Sequence, residues 1–327
     1  MEALNEATRK RRRMRELLAR NEILVMPGGF SPLLAKMAQE AGFESFFLAG
    51  SQLSAFLYGY PDTGVVGLRD FVDHARHIAA RVDIPVLVDF DTGFGNAVNV
   101  WYAVQECVRS GAAALQIEDQ EAPKKSGTLA GRRCISQREA VGKIRAAIDA
   151  RQAIDPEFVV CARVDALGAE GETWESTLAR CQAYADEGGA DLIWLNSSQT
   201  REQLEEVCRK VKVPVLTIWG GAGPPPTPKE LEALGVRVAL YPTITASVGM
   251  QAAWHVLHDF KARGLPAIAE WQAQMRNGPY GVPNLAALTG LPKVRELEAS
   301  FIPPESQRDY ETTWGHRPAQ EASENQR

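Results

Sequence analysis

The chain has 327 residues, 45% of them hydrophobic and 24% charged, with a net charge of −5. That length supports a large buried core, either as two domains or as one α/β barrel. The acidic balance speaks against nucleic acid as the main partner, and no apolar run approaches the roughly 18 residues of a membrane span.

The N-terminal segment "RKRRRMRELLARN" lacks the apolar stretch of a signal peptide. Met14, Leu17 and Leu18 recur at helical spacing, so residues 1–20 read as a leading helix with its basic residues on a solvated face. From residue 22, short β-branched apolar runs alternate with amphipathic stretches. The runs are 22–28, 44–50, 84–91, 113–119, 158–165, 191–196, 213–219 and 237–242. The amphipathic stretches between them include 68–82, 97–110, 137–152, 173–188 and 200–210. Near-continuous apolar runs suit strands buried on both faces of a parallel sheet. Eightfold strand–helix alternation predicts a (β/α)8 TIM-type barrel over residues 21–264, with a doubly wound open sheet as the alternative. A long helical segment, 246–264, follows the eighth strand. Residues 265–302 mix helical pattern with Pro and Gly breaks and are too apolar for a free tail, so they read as a C-terminal helical extension. The polar tail, 303–327, carries Trp314 and is expected to be disordered at its end. The five cysteines are scattered, odd in number and form no C-x-x-C, which signals neither a zinc site nor a disulfide framework but a reducing cytoplasm.

Polar residues gather at the C-terminal ends of successive strands: Asp89 and Asp91, Glu118 and Asp119, Arg163 and Asp165, then Asn196. In a barrel these ends ring one mouth, where barrel enzymes keep their active sites. Asp89 and Asp91 are two residues apart and share a face if the strand stays regular. Glu118 can add a third carboxylate. Crowded carboxylates need a cation or shared protons. With no Cys/His cluster nearby, the cation expected is magnesium, with manganese as a substitute, leaving positions for substrate oxygens. Next along the chain, "EDQEAPKKSGT" (118–128) adds two lysines and a serine beside a glycine.

The motifs "VDFDTGFGNAVNV", "IEDQ", "PKKSG", "ARVDAL" and "GYPDTG" resemble the isocitrate lyase / phosphoenolpyruvate mutase superfamily, in order and over about residues 16–300. The resemblance implies a modified (β/α)8 barrel whose C-terminal helices swap between subunits of a homo-oligomer, a dimer or tetramer. It implies Mg2+ and enolates of small 2-oxo acids. It assigns Asp89, Asp91 and Glu118 to the metal, Asp62 to a place beside metal and substrate, and Gly50 and Ser51 to the substrate carboxylate. It assigns Arg163 to the substrate oxyanion and Lys124 to the opening of a gating loop.

The departures restrict the reaction. Isocitrate and methylisocitrate lyases carry Lys-[Lys/Arg]-Cys-Gly-His in that loop, whereas this chain has Lys124-Lys125-Ser126-Gly127-Thr128. Gln116 stands where those lyases have histidine, Asn196 where they have glutamate and Ile218 where they have asparagine. Serine is a far weaker acid than a thiol. The expected activity is therefore a Mg-dependent lyase breaking a C–C bond in a small 2-oxo or 2-hydroxy dicarboxylate through a pyruvate-like enolate. Oxaloacetate decarboxylation and malate-type cleavage are its concrete forms. Lys124, Ser126, Arg163 and Asp62 are the expected catalytic residues, and Gly50, Ser51, Gln116, Arg163 and Asn196 the substrate contacts. The alternatives are a phosphonopyruvate or carboxyphosphonoenolpyruvate mutase or hydrolase acting on a C–P bond, and a family member that only binds ligand.

Overall fold

A computed structural model describes residues 2–276 and 282–310. Its parallel strands are β1 (Leu24–Gly29), β2 (Phe46–Leu48), β3 (Val86–Asp89), β4 (Ala114–Glu118), β5 (Val159–Val164), β6 (Leu192–Ser198), β7 (Val215–Trp219) and β8 (Val238–Tyr241). They follow sequence order around a closed barrel, and β8 pairs back onto β1 from Leu24–Val238 to Pro27–Tyr241. That closure excludes the open sheet, and every expected run carries a strand. The helices of the first part are α1 (Glu2–Ala19), α2 (Pro32–Glu40), α3 (Gly50–Leu53), α4 (Leu68–Ala79), α5 (Ala97–Arg109), α6 (Gln137–Gln152), α7 (Trp174–Asp186), α8 (Arg201–Lys210) and α9 (Pro228–Ala233). Asn96, Ser136, Thr173 and Thr200 cap α5 to α8, each accepting a hydrogen bond from a first-turn N–H. The short α2, α3 and α9 lie outside the amphipathic stretches.

The period of two along each strand decides what faces the interior. One core cluster draws a member from every strand: Leu24 and Met26, Phe47, Leu87, Ala114, Val159 and Cys161, Leu192 and Trp194, Leu216, Val238 and Leu240. These fill the barrel. The residues between them, such as Phe46, Val88, Leu115 and Ile193, pack outward against the helices. Continuing the inward parity upward reaches Asp89, Gln116 and Glu118, Arg163 and Asn196. The polar strand ends and the apolar plug are thus one set of positions, switching from hydrocarbon to charge near the C-terminal rim.

At the other end α1 stoppers the barrel with Met14, Leu17 and Leu18. Its basic run is only in part the solvated face expected: Arg9, Arg12 and Arg13 are exposed. Lys10 and Arg11 are buried. Lys10 Nζ donates to the carbonyl of Ala79 at the end of α4 (2.9 Å), and Arg11 donates to the carbonyl of Val108 near the end of α5 and to that of Ala112. Cations are favoured where helix carbonyls go unsatisfied, which explains why a basic helix can bury part of its charge. Arg11 also pairs with Asp155 at 2.5 Å.

The chain forms two compact units, residues up to Trp254 and those from His255. α10 (Ile244–Arg263) begins in the first and ends in the second. The second contains α11 (Leu265–Arg276), α12 (Val282–Leu288) and α13 (Leu291–Phe301). The expected polar tail beyond Tyr310, with Trp314, lies outside the described residues. Among the described residues no helix is long and apolar enough to cross a membrane.

Burial alone would raise the Asp155 carboxyl, but hydrogen bonds from Arg11, Thr8 and the Glu157 N–H hold it below the usual range. A depressed carboxyl stabilises the fold above the unfolded-state pKa and stops doing so as pH falls through the folded one. Arg11→Met should lower the unfolding free energy by about 3 kcal/mol at neutral pH. Urea denaturation checks this, and the gap to wild type should narrow as pH drops below the carboxylate range.

Candidate active site

A cavity of about 520 Å³ opens at the C-terminal mouth. Of the expected residues, Ser51, Asp62, Asp89, Ser126, Arg163 and Asn196 line it. Gln116, Asp91, Glu118 and Lys124 do not, but each contacts one that does. Gln116 Nε2 donates to Asp89, Glu118 pairs with Arg163, and Lys124 bridges Asp91 and Asp62. A larger cleft, about 750 Å³, flanks α1 at the opposite end and holds the Arg13–Glu44 pair; among its described residues no site chemistry converges.

Strand β3 ends at Asp89, so Asp91 does not share its face by alternation. The chain instead turns at Asp91, with φ +46°, and the Asp91 N–H donates to Asp89 Oδ1 at 3.1 Å. A non-glycine residue in this region stores strain that the surroundings must hold. Asp89 Oδ2 accepts from the Gly50 N–H at 3.0 Å. That N–H is therefore committed to the carboxylate, and Ser51 is the member of the pair facing the cavity. A Cβ at Gly50 would meet Asp89 Oδ2 and the Phe71 ring, each at 2.9 Å.

Lys124 lies buried with its ammonium 2.5 Å from Asp62 and 2.8 Å from Asp91. Burial opposes that charge, but Glu118, Asp91, Asp89 and Asp62 together raise its pKa well above the ordinary lysine value. Burial pushes the Asp91 carboxyl up to about 6, against the pull of Lys124 and with a push from Asp89. Glu118 is raised well above the usual range, first by burial, with Arg163 and Lys124 opposing.

Among the described residues no three carboxylate, histidine or cysteine side chains converge into a ready cation cage. The donor set nevertheless suits a hard cation. All its atoms are oxygens, and buried Glu118 Oε1 and Gln116 Oε1 have no hydrogen-bond partner. Magnesium needs only one or two carboxylates and keeps its waters.

Arg163 donates to Asp165 Oδ1 from Nη2 (3.1 Å), pairs with Glu118 (3.2 Å) and lies 4.6 Å from the centre of the Trp194 ring. Burial alone would lower its pKa, but Asp165 and Glu118 raise it further. Asp165 is a hub that the sequence reading left outside the site. It also accepts from Asn196 Nδ2 and from Gln120 Nε2. Its own N–H is held by Asp119, whose other oxygen accepts from Tyr184 and Arg180.

Two of the hub's partners hold the loop 124–128. The Gln120 amide clasps the N–H and carbonyl of Lys125 at 2.9 Å each. Asn196, Ser197 and Arg132 all donate to the Gly127 carbonyl. Ser126 and Thr128 line the cavity with hydroxyls 3.5 Å apart. Gln120, Arg132 and Ser197 escaped the sequence reading. Gln120 and Asp165 stand inside the quoted "IEDQ" and "ARVDAL", but nothing in those motifs shows which atoms they hold. A Cβ on Gly127 would lie 2.1 Å from Arg163 and 2.5 Å from Asn196. Gly127→Ala should keep the loop from seating, exposing the Lys125–Ser126 bond to trypsin in limited proteolysis while the melting temperature stays near wild type.

A family model described as phosphoenolpyruvate phosphomutase matches residues 14–261. A 2,3-dimethylmalate lyase of Eubacterium barkeri is 35% identical over 295 residues, 88% of this chain and 97% of that protein. A 2-methylisocitrate lyase of Aeropyrum pernix is 37% identical over 253 residues, 77% of this chain and 80% of that protein. The solved structure of a phosphonopyruvate hydrolase with oxalate and Mg2+ superposes with a TM-score of 0.79 at 31% identity, covering 90% of this chain and 99% of that one. Together with the closed barrel and its ringed mouth, these likenesses show that the chain belongs to the phosphoenolpyruvate phosphomutase family, in the isocitrate lyase / phosphoenolpyruvate mutase superfamily, and is an enzyme of the carbon–carbon lyase type.

Proposed function

We propose that the enzyme breaks a C–C bond in a small 2-oxo or 2-hydroxy dicarboxylate, and that malate-type cleavage is its main form. The observation that carries this reading is the facing of Arg163 and the carboxylates of Asp62 and Asp89 across one small cavity. The likeness to a 2,3-dimethylmalate lyase over 88% of the chain supports the malate-type form.

Asp89, Asp91 and Glu118 would hold Mg2+ or Mn2+, directly or through waters. When bound, the ion supplies Lewis-acid stabilisation of negative charge on the substrate's oxygens. The protein's own groups supply the rest. Arg163, fixed by Glu118 and Asp165, binds an anionic oxygen without having to reorganise. Ser51 holds a substrate carboxylate, and Gln116 keeps Asp89 in position. Asp62 takes the proton of the C2 hydroxyl. The C2–C3 bond breaks, C2 becomes a carbonyl, and the electron pair passes to C3 and into the departing arm's carboxylate. A proton then reaches C3 past Ser126 and Thr128, supplied in the end by solvent because a serine hydroxyl is a weak acid. The products are a 2-oxo acid and a shorter carboxylic acid. With oxaloacetate the C3–carboxylate bond breaks instead, releasing CO2 and leaving the pyruvate enolate. Lys124 and the seated loop exclude water from the reacting centre.

We further infer that the enzyme works in the cytoplasm as a homo-oligomer, a dimer or tetramer. Val248 and Met250 on α10 leave large apolar side chains exposed, which supports assembly.

Purified enzyme with Mg2+ should release pyruvate or glyoxylate from a panel of malates and 2-oxo dicarboxylates, followed by chromatography of the products. Chelation should stop the release and added Mg2+ or Mn2+ restore it. No release from any member sinks the reading, and phosphate release from phosphonopyruvate, seen by phosphorus NMR, would favour C–P chemistry instead. Arg163→Lys, which keeps charge but loses the fork, should cut kcat by about 100-fold or more.

A further inference from the structure

Arg132 lies in the segment that leads away from the loop 124–128. The backbone there is held from both sides. The Arg132 carbonyl accepts from the Glu170 N–H, and the neighbouring Arg133 carbonyl accepts from the Glu121 N–H, each at 2.9 Å. The Arg132 side chain is buried but does not line the cavity. Nη1 donates to the Gly127 carbonyl and Nη2 to the Leu167 carbonyl at 2.6 Å, while Nε has no partner. Gly168, with φ +80°, turns the chain closely past the guanidinium, and a Cβ there would lie 3.3 Å from Nη2.

Backbone carbonyls offset the lost hydration of a buried cation only in part, so a hydrocarbon side chain would be the more stable filling if filling were the whole role. The guanidinium can do what hydrocarbon cannot: its fixed fork of donors joins two separate stretches of backbone. One stretch is the loop that lays Ser126 and Thr128 on the cavity. The other is the turn after β5, where Leu167 stands two residues beyond Asp165, the partner of Arg163. The Gly127 carbonyl has two lone pairs and three donors, Arg132, Asn196 at 3.2 Å and Ser197 at 3.3 Å. The charged donor makes the strongest of these bonds. We propose that Arg132 is a positioning residue, which bolts the loop 124–128 to the turn after β5 and so keeps Ser126 and Thr128 over the reacting centre. Its effect on turnover rests on the lyase reading above, and its effect on the loop does not.

The test reads both. Arg132→Met and Arg132→Lys are compared with wild type in limited proteolysis by trypsin, with the cleaved bonds identified by mass spectrometry, and in product release from the acid panel with Mg2+. Loss of a charge-assisted hydrogen bond should speed cleavage after Lys125 by about tenfold or more in Arg132→Met. The melting temperature should stay within about 3 °C of wild type. Because Arg132 does not reach the cavity, kcat should fall by about tenfold while KM changes by less than about threefold. Arg132→Lys can hold one carbonyl only and should fall between the two. Full protection of the Lys125–Ser126 bond in Arg132→Met overturns the proposal. So does a large fall in melting temperature with cleavage spread along the chain, which marks a merely structural role, and so does a raised KM at unchanged kcat, which marks a substrate contact. A loosened loop in Arg132→Met, with no acid cleaved even by wild type, keeps this proposal and sinks the lyase reading.

Discussion

Arg163 is buried between two carboxylates, and most of the catalytic mouth follows from keeping that charge satisfied. An isolated guanidinium inside a protein would be strongly unfavourable, so it needs Glu118 and above all Asp165, whose carboxyl Arg163 helps hold below the usual range against the push of burial, and these groups then need partners of their own. Asp165 finds them in Asn196 and Gln120, and its backbone is fixed by Asp119. Those same amides grip the loop 124–128 at Gly127 and Lys125. The loop's seated position and the aim of Arg163 are therefore set by one hydrogen-bonded assembly. A second assembly, Lys124 with Asp62 and Asp91, brings the other side of the loop down on the acidic cluster.

The parity of the strands made much of this readable in advance. Apolar runs with charge at their ends located the barrel, its mouth and the residues Asp89, Glu118, Arg163 and Asn196. The reading failed where backbone conformation departs from the regular strand. Asp91 reaches the cluster through a left-handed turn, and Ser197, which donates to the loop, also has positive φ, at 55°. Periodicity carries no signal for such turns. The roles of Asp165 and Gln120 have no signal in the motifs that contain them, because they lie in what these residues hold rather than in what they are. The basic N-terminal run departs from its solvated face only at Lys10 and Arg11, for a related reason. The helix ends that accept Lys10 and Arg11 lie 69 and 97 residues away in sequence.

Ser126 and Thr128 place two hydroxyls where the cleaving relatives of the resemblance carry a thiol and an imidazole. The buried cysteines do not compensate. Cys161 is inside the barrel and burial raises its pKa far above the ordinary thiol value, so it acts as filling. In the proposed mechanism, proton delivery depends on the loop's opening to solvent, while bond breaking depends on the polar half of the mouth.

The stopper helix at the far end has a consequence for the order in which the molecule can be built. α1 leaves the ribosome before any strand of the barrel, yet Arg11 and Arg15 are matched to Asp155 and Asp191, 144 and 176 residues later. The earliest helix must wait, with its cations solvated, until the sixth strand has been made. A nascent chain stalled before that point has an open-bottomed, half-built barrel and a loose basic helix, the kind of long-range debt that slows folding and invites chaperones.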